Sequence, residues 1–148
     1  MKTVITAKLK LHTTPEAFAA LRAMQLAYRD ALNYASRYAF EHGKTSNEEL
    51  LHKETYYDIR AKFGLPSEMT NNAIRLVSAT YRGLWTKLRQ NTKHRRVKIT
   101  RKRFKGLDQP PKYVSPTVIY NYKYDYSFKM EQRVSIRALQ GRVIVPYE

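Results

Sequence analysis

At 148 residues the chain is long enough for one ordinary domain, or two small intertwined ones, and too short for a large multidomain enzyme. It carries 28 Lys and Arg against 12 acids, a net charge of +16 with 43% hydrophobic residues, so a packed core is within reach and wholesale disorder is excluded. The absence of Cys excludes disulfide scaffolds, Cys-rich zinc sites and thiol catalysis, and is compatible with a reducing cytoplasm.

The opening MKTVITAKLK alternates and carries charge, unlike a signal peptide, and no run of about 18 apolar residues occurs that would cross a membrane. Residues 3–11 place Thr3, Ile5, Ala7, Leu9 and Leu11 on one parity and Val4, Thr6, Lys8 and Lys10 on the other, which predicts a half-buried strand with a wet basic face. His12-Thr13-Thr14-Pro15-Glu16 reads as a helix start, with Thr as the cap, Pro at the first helical position and Glu near the positive end of the dipole. The helix is expected to run to about Glu41 on a stripe of Phe18, Leu21, Met24, Tyr28, Leu32, Ala35 and Ala39, ending at Gly43. A second helix starts after Ser46 or Asn47, carries Leu50, Leu51, Tyr57 and Ile59, and stops at Gly64-Leu65-Pro66.

The third helix opens at Ser67-Glu68-Met69-Thr70 and has the clearest helical stripe in the chain: Met69, Ala73, Val77, Tyr81, Leu84, Trp85 and Leu88. This stripe is read as core packing. Arg75, Arg82 and Arg89 recur every seven residues and so share a face away from it. Residues 91–112 are basic and irregular and read as a linker or exposed loop. From Tyr113 onward β signals dominate. Tyr120, Tyr122, Tyr124, Tyr126 and Phe128 alternate, Val134 and Ile136 continue the pattern, and Gln140-Gly141 makes a turn before Val143-Ile144-Val145.

A lone N-terminal strand would be an unpaired edge, and its natural partners are the C-terminal strands. The expected architecture is therefore α+β: a three-helix lobe inserted after the first strand of a small antiparallel sheet or barrel. Residues 1–12 and 113–148 would form the β part, 13–90 the helical lobe and 91–112 the basic connection near their junction.

The charge is concentrated. Eight of the twelve acids precede Met69, and from Met69 to Leu107 there is none, while Arg75, Arg82, Lys87, Arg89, Lys93, Arg95, Arg96, Lys98, Arg101, Lys102, Arg103 and Lys105 supply twelve positive charges. Such a run repels itself in the free protein, and a phosphate backbone relieves that repulsion with release of counterions. A merely solubilising surface mixes both signs. An interfacial membrane helix needs a broad apolar face, and residues 93–105 offer only Val97, Ile99 and Phe104. Nucleic acid is the partner this pattern fits. If about six of these side chains touch phosphates, affinity falls with roughly the fifth power of salt concentration. The alternating tyrosines have two readings: a platform on which unpaired bases stack, with Tyr120 and Tyr122 as candidates, or the packing face of the sheet, which is favoured for most of them.

No catalytic pattern is legible. His12, His42, His52 and His94 are scattered without ligand spacing, so no metal is expected. After residue 68 only Asp108, Asp125, Glu131 and Glu148 remain, too dispersed for a two-metal nuclease. There is no P-loop, GxGxxG or GxSxG, so neither cofactor nor enzymatic activity is expected of this chain.

Three segments in order carry a resemblance. The alternating Lys/Leu opening followed by TTPEAFAALRAMQLAYRDALNYASRYAF resembles the start of the OrfB/TnpB-type transposon proteins, RNA-guided nucleases related to the type V CRISPR effectors. YYDIRAKFGLPSEMTNNAIRLVSATYRGLW is similar to a second landmark, R-x-x-F-x-L-P-x-x-M leading into an Asn-Ala-Ile-Arg helix, and VSIRALQGRVIVPYE to a third, a strand–turn–strand ending in Pro. The resemblance implies an OB-like wedge domain split by a helical recognition lobe that grips structured guide RNA, its hybrid with target DNA and the short motif beside the target. The family's nuclease, an RNase H-like domain with three catalytic acids and usually a four-cysteine zinc insert, has no matching position here. The chain is expected to stop inside the wedge, leaving an open sheet edge prone to self-association.

The sequence thus predicts a non-catalytic nucleic-acid-binding protein. The contact set would be Arg75, Arg82, Arg89, Lys93, Arg95, Arg96, Lys98, Arg101, Lys102, Arg103 and Lys105. Two alternatives remain open at this point: a stand-alone helix-turn-helix DNA regulator, and a basic assembly protein binding an acidic partner.

Overall fold

A computed structural model describes residues 2–148. Its fold is α+β, with helices α1 (Pro15–Glu41), α2 (Glu48–Phe63) and α3 (Ser67–Arg96) followed by a three-stranded antiparallel sheet of β1 (Tyr126–Lys129), β2 (Arg133–Ala138) and β3 (Gly141–Pro146), in the order β1-β2-β3.

The helix boundaries follow the local chemistry. The Ala17 amide donates to Thr14 Oγ1 at 3.2 Å, which satisfies one orphan N–H of α1 ahead of Pro15. The Leu50 amide donates to Asn47 Oδ1 at 3.1 Å at the start of α2. Gly64 closes α2 in the left-handed conformation (φ 67°), its N–H donating to the Arg60 carbonyl at 3.0 Å, a backbone state that costs a side-chain-bearing residue more than Gly. Helix α3 continues six residues past Gln90, so Asn91–Arg96 are helical where the sequence reading has a loop. No Gly or Pro interrupts that stretch, and an Arg- and Lys-rich turn suits the negative end of the helix dipole.

Two compact units are present: the chain up to Met24 together with Tyr120–Glu148, and Gln25–Ile119. The division falls inside α1, whereas the sequence reading sets it at residues 12/13 and 112/113. In the first unit the first turns of α1 serve the sheet. Val134, Ile136 and Val145 form its buried core, with Leu11, Ala17, Leu21, Tyr120, Tyr126, Val143 and Tyr147 packed around them. A two-residue loop, Leu139-Gln140, joins β2 to β3, and Gly141, paired with Ala138, takes a φ of 144° that other residues avoid.

The predicted N-terminal strand does not form along its length. Leu11 makes a single bridge to Tyr147, flanked by Lys10 N to Glu148 O (2.8 Å), Glu148 N to Lys10 O (3.0 Å) and His12 N to Pro146 O (2.9 Å). In the register those bonds set, the residues before Lys10 meet no strand, and residues 2–9 lie exposed outside any element. Alternation alone cannot hold a strand without a neighbouring ladder.

The aromatic ladder is also interrupted. The Asn121 amide donates to Asp125 Oδ2 at 2.9 Å, the Asp125 amide to the Asn121 carbonyl at 2.8 Å, and Lys123 sits at φ 72°, so residues 121–125 turn instead of extending. Only Tyr126 and Phe128 lie in β1; Tyr122 and Tyr124 are 52% and 74% exposed. Tyr120 packs in the core and donates its hydroxyl to the Arg137 carbonyl at 3.2 Å, which withdraws it from base stacking.

Burial, helped by the nearby Asp125 charge, pushes the Tyr120 phenol up to about 12. A phenol whose folded pKa lies above its unfolded value near 10 favours folding most below pH 10, and that contribution is lost as pH rises from about 10 through 12. The wild-type protein is therefore expected to lose stability in that window, and Tyr120→Phe to flatten the loss; parallel alkaline unfolding curves for the two proteins would contradict this.

In the second unit Met69, Ala73, Ile74, Val77 and Tyr81 of α3 are buried with Leu51, Thr55 and Ile59 of α2 and with Tyr28, Ala31, Leu32, Ala35, Ser36 and Ala39 of α1. Leu51, Thr55 and Ile59 recur every four residues and form one stripe. Leu50 and Tyr57, expected on the packing side, fall off that line and are 38% and 77% exposed. Phe18, expected to begin the α1 stripe, is 61% exposed.

Candidate nucleic-acid interface

The acid-free segment lies wholly within the second unit and is a built structure. At the end of α3 the Lys98 amide donates to the Arg95 carbonyl (3.2 Å) and the Ile99 amide to the His94 carbonyl (2.9 Å), with Lys98 at φ 60°. This 6→1 and 5→2 pair is a Schellman cap, with Lys in the left-handed position usually held by Gly. The cap turns the chain so that Arg101–Phe104 come back alongside the helix. There the side-chain amide of Asn91 takes hold of them: its Nδ2 donates to the Lys102 carbonyl at 2.9 Å and its Oδ1 accepts from the Phe104 amide at 3.0 Å.

Beyond this clamp the Phe104 ring lies against Gly106, where a Cβ would run into it, and Leu107 is buried. Arg103 grips Asp108 through two bonds, Nη1 to Oδ1 at 2.9 Å and Nη2 to Oδ2 at 2.6 Å. The guanidinium holds the Asp108 carboxyl below its usual range, and the carboxylate raises the Arg103 pKa in return. A second amide clamp continues the tether, with Asn33 Nδ2 donating to the Tyr113 carbonyl and the Tyr113 amide to Asn33 Oδ1, both at 2.8 Å. Ser36 Oγ donates to the Pro111 carbonyl at 2.7 Å, and the Tyr81 hydroxyl donates to the Ser36 carbonyl at 2.7 Å. Residues 102–113 are thus fastened to α1 and α3.

All eleven cations predicted as contacts are exposed. Two are already engaged by acids. Arg75 Nε lies 3.3 Å from Glu48 and its Nη1 3.7 Å from Glu68, and Arg103 holds Asp108. Arg82, Lys87, Arg89, Lys93, Arg95, Arg96, Lys98, Arg101, Lys102 and Lys105 have no carboxylate in ion-pair range among the described residues. From Arg82 to Arg96 the helix spans about 21 Å, and the returning segment adds Arg101, Lys102 and Lys105 beside its last turns. The clamp holds the returning backbone beside the helix, so side chains and not main chain are what remain to be ordered when a polyanion arrives.

Tyr122, the other stacking candidate, is half exposed in the first unit, its ring 5.5 Å from Tyr126 and 6.3 Å from Phe128. The sequence reading passes over Asn91, which holds the array's returning segment, and over Asn33 and Leu107, which anchor the chain that follows it. Their signal is faint: Asn is a poor helix former, and one in mid-helix implies that its amide is used elsewhere.

Among the described residues no group of three or more His, Asp or Glu side chains is placed to hold a metal ion, and no helix is long and apolar enough to cross a membrane. Compared with known proteins, the chain matches no family model, no curated protein and no solved structure.

Proposed function

We propose that this chain is a non-catalytic, cytoplasmic nucleic-acid-binding protein or part of one, acting as the guide-RNA and target-DNA gripping half of a TnpB-like transposon nuclease, with the sheet unit as the wedge and the helical unit as the recognition lobe. The observation that carries the reading is the acid-free array from Arg82 to Lys105, in which ten cations stand exposed and unneutralised on a backbone fastened by the Asn91 amide. A surface of one sign costs self-repulsion, and phosphates spaced along a strand remove it. The resemblance of the three sequence landmarks supplies the choice of RNA over duplex DNA; A-form grooves are met through their backbone and shape.

The test is anisotropy titration of the nuclease-treated protein with a structured RNA, an RNA–DNA hybrid and a B-form duplex of equal length, over about 50–200 mM salt. Tighter binding to RNA and hybrid is expected, with a log–log salt slope near −5 for about six contacts. A preference for the B-form duplex would point to a regulator that uses the three-residue Gly64–Pro66 turn between α2 and α3 as a helix-turn-helix, and a slope near zero would remove nucleic acid altogether.

A further inference from the structure

A cavity of about 640 Å³ opens in the helical unit where the basic segment ends. Its volume is in the range of small-ligand pockets. One wall is α1, from which Asp30, Asn33 and Arg37 project at a spacing of three and four residues. A second wall is Phe63, the last residue of α2, whose ring meets Tyr34 edge-on at 6.0 Å. The third is the extended run Gln109–Lys112, stiffened by two prolines and held by Ser36 and by the Asn33 clamp on Tyr113.

The chemistry of these walls is uneven in a telling way. Both polar ends of the Asn33 amide are spent on the Tyr113 backbone, and Asp30 already accepts from Arg29 Nε (3.1 Å) and Nη2 (3.0 Å). Arg37 and Lys112 have no carboxylate in ion-pair range among the described residues. What the cavity presents to a ligand is therefore an aromatic ring, two free cations, an amide, Gln109, able to donate and accept, and one carboxylate, Asp30, whose charge Arg29 offsets through Oδ1. An aromatic or prolyl surface takes a flat ring, the cations take a phosphate, and the amide reads a base edge.

We propose that this cavity receives one unpaired nucleotide of the strand bound along the basic array, its base lodged against Phe63 and Pro110–Pro111 and its phosphate between Arg37 and Lys112. The inference rests on the nucleic-acid reading above and adds a preference within it: strands that can offer an unstacked base gain a contact that a closed duplex cannot supply. The wall and the array belong to one continuous segment, since Gln109 directly follows the Arg103–Asp108 pair.

The test compares a fluorescein-labelled uridine 12-mer with a blunt duplex of equal length, using wild type, Phe63→Ala, Phe63→Trp and Arg37→Gln. Stacking on one aromatic is worth about 1–3 kcal/mol, so Phe63→Ala is expected to weaken the single strand by roughly 5- to 150-fold and leave the duplex unchanged. Phe63→Trp keeps a ring in place, guards against a folding defect, and should hold single-strand affinity with its added fluorescence quenched on binding. Arg37→Gln should flatten the single-strand salt slope by about one. Equal losses on both nucleic acids, or none on either while the salt slope persists, overturn the pocket and leave the basic array standing. Displacement of the 12-mer by micromolar adenosine monophosphate would place a free nucleotide there instead and overturn the strand assignment. Absence of binding to both probes sinks the nucleic-acid reading and the pocket with it.

Discussion

Replacing Arg95, Arg96, Arg101 and Lys102 together by Gln is expected to weaken RNA binding by about 10³-fold at 0.1 M salt and to flatten the log–log salt slope by between three and four. The arithmetic is that of counterion release, in which each phosphate contact contributes about 0.9 to the slope and so roughly eightfold in affinity at that concentration. All four side chains are exposed and free of acid partners among the described residues, and Gln retains helix propensity in place of Arg95 and Arg96, so the fold should persist with an unchanged circular dichroism spectrum. The decisive comparison removes the same number of charges elsewhere, by Lys2, Lys8, Lys53 and Lys129 to Gln, all equally exposed. If net charge alone attracts the polyanion, the two quadruple variants lose alike. If the array is the site, the second loses less than about tenfold.

Ile59→Ala is expected to lower the stability of the helical unit by about 2–5 kcal/mol. Ile59 is fully buried in the α2 stripe with Leu51 and Thr55, against the Met69, Ala73 and Val77 stripe of α3. Truncation there both removes transfer free energy and leaves a cavity that two helices joined by a three-residue turn relieve poorly. The slowest-exchanging amides of α2 and α3 should then exchange about 30-fold faster or more, since 1.4 kcal/mol is a factor of ten. Tyr81→Phe keeps the ring and loses the hydroxyl's bond to the Ser36 carbonyl and its longer contact with Ser36 Oγ at 3.4 Å, so its effect should be smaller, about 1–2 kcal/mol. An Ile59→Ala protein with wild-type exchange rates would mean that the α2 stripe is not the core described.

How much could be read beforehand differs element by element. Thr14-Pro15, Asn47 and Gly64 announce their helix ends because caps are local: a side chain or a permissive backbone satisfies groups three or four residues away. The α3 stripe is legible for a related reason, since a period of 3.6 in apolar residues leaves one face with nowhere to go but inward. The N-terminal alternation misleads because a strand is stable only beside another, and whether a neighbour lies alongside residues 2–9 is a matter of register elsewhere in the chain. The tyrosine ladder misleads for a different reason: buried Asp125 turns residues 121–125 through bonds to Asn121, and a single carboxylate facing its own backbone outweighs alternation.

The candidate site divides in the same manner. That a run of cations without anions exists, and where it lies in the chain, is a property of composition and needs no coordinates. Which of those cations are free does need them. Arg75 is met by Glu48 from 27 residues away and Arg103 by Asp108 five residues on, whereas Arg95, Arg96, Arg101 and Lys102 meet no acid among the described residues. The amino-acid order alone settled the three helices, the caps at Thr14, Asn47 and Gly64, a hairpin turn within one residue of its place at Leu139-Gln140 and the sign of the chain's own charge, because each of these depends on neighbours within a few residues or on totals. Tertiary structure alone decided that residues 102–113 are fastened by Asn91, Asn33 and Ser36, and that Phe63 faces a cavity beside them. Those contacts join residues from about 11 to 80 positions apart, and only the folded chain brings their partners within hydrogen-bonding reach.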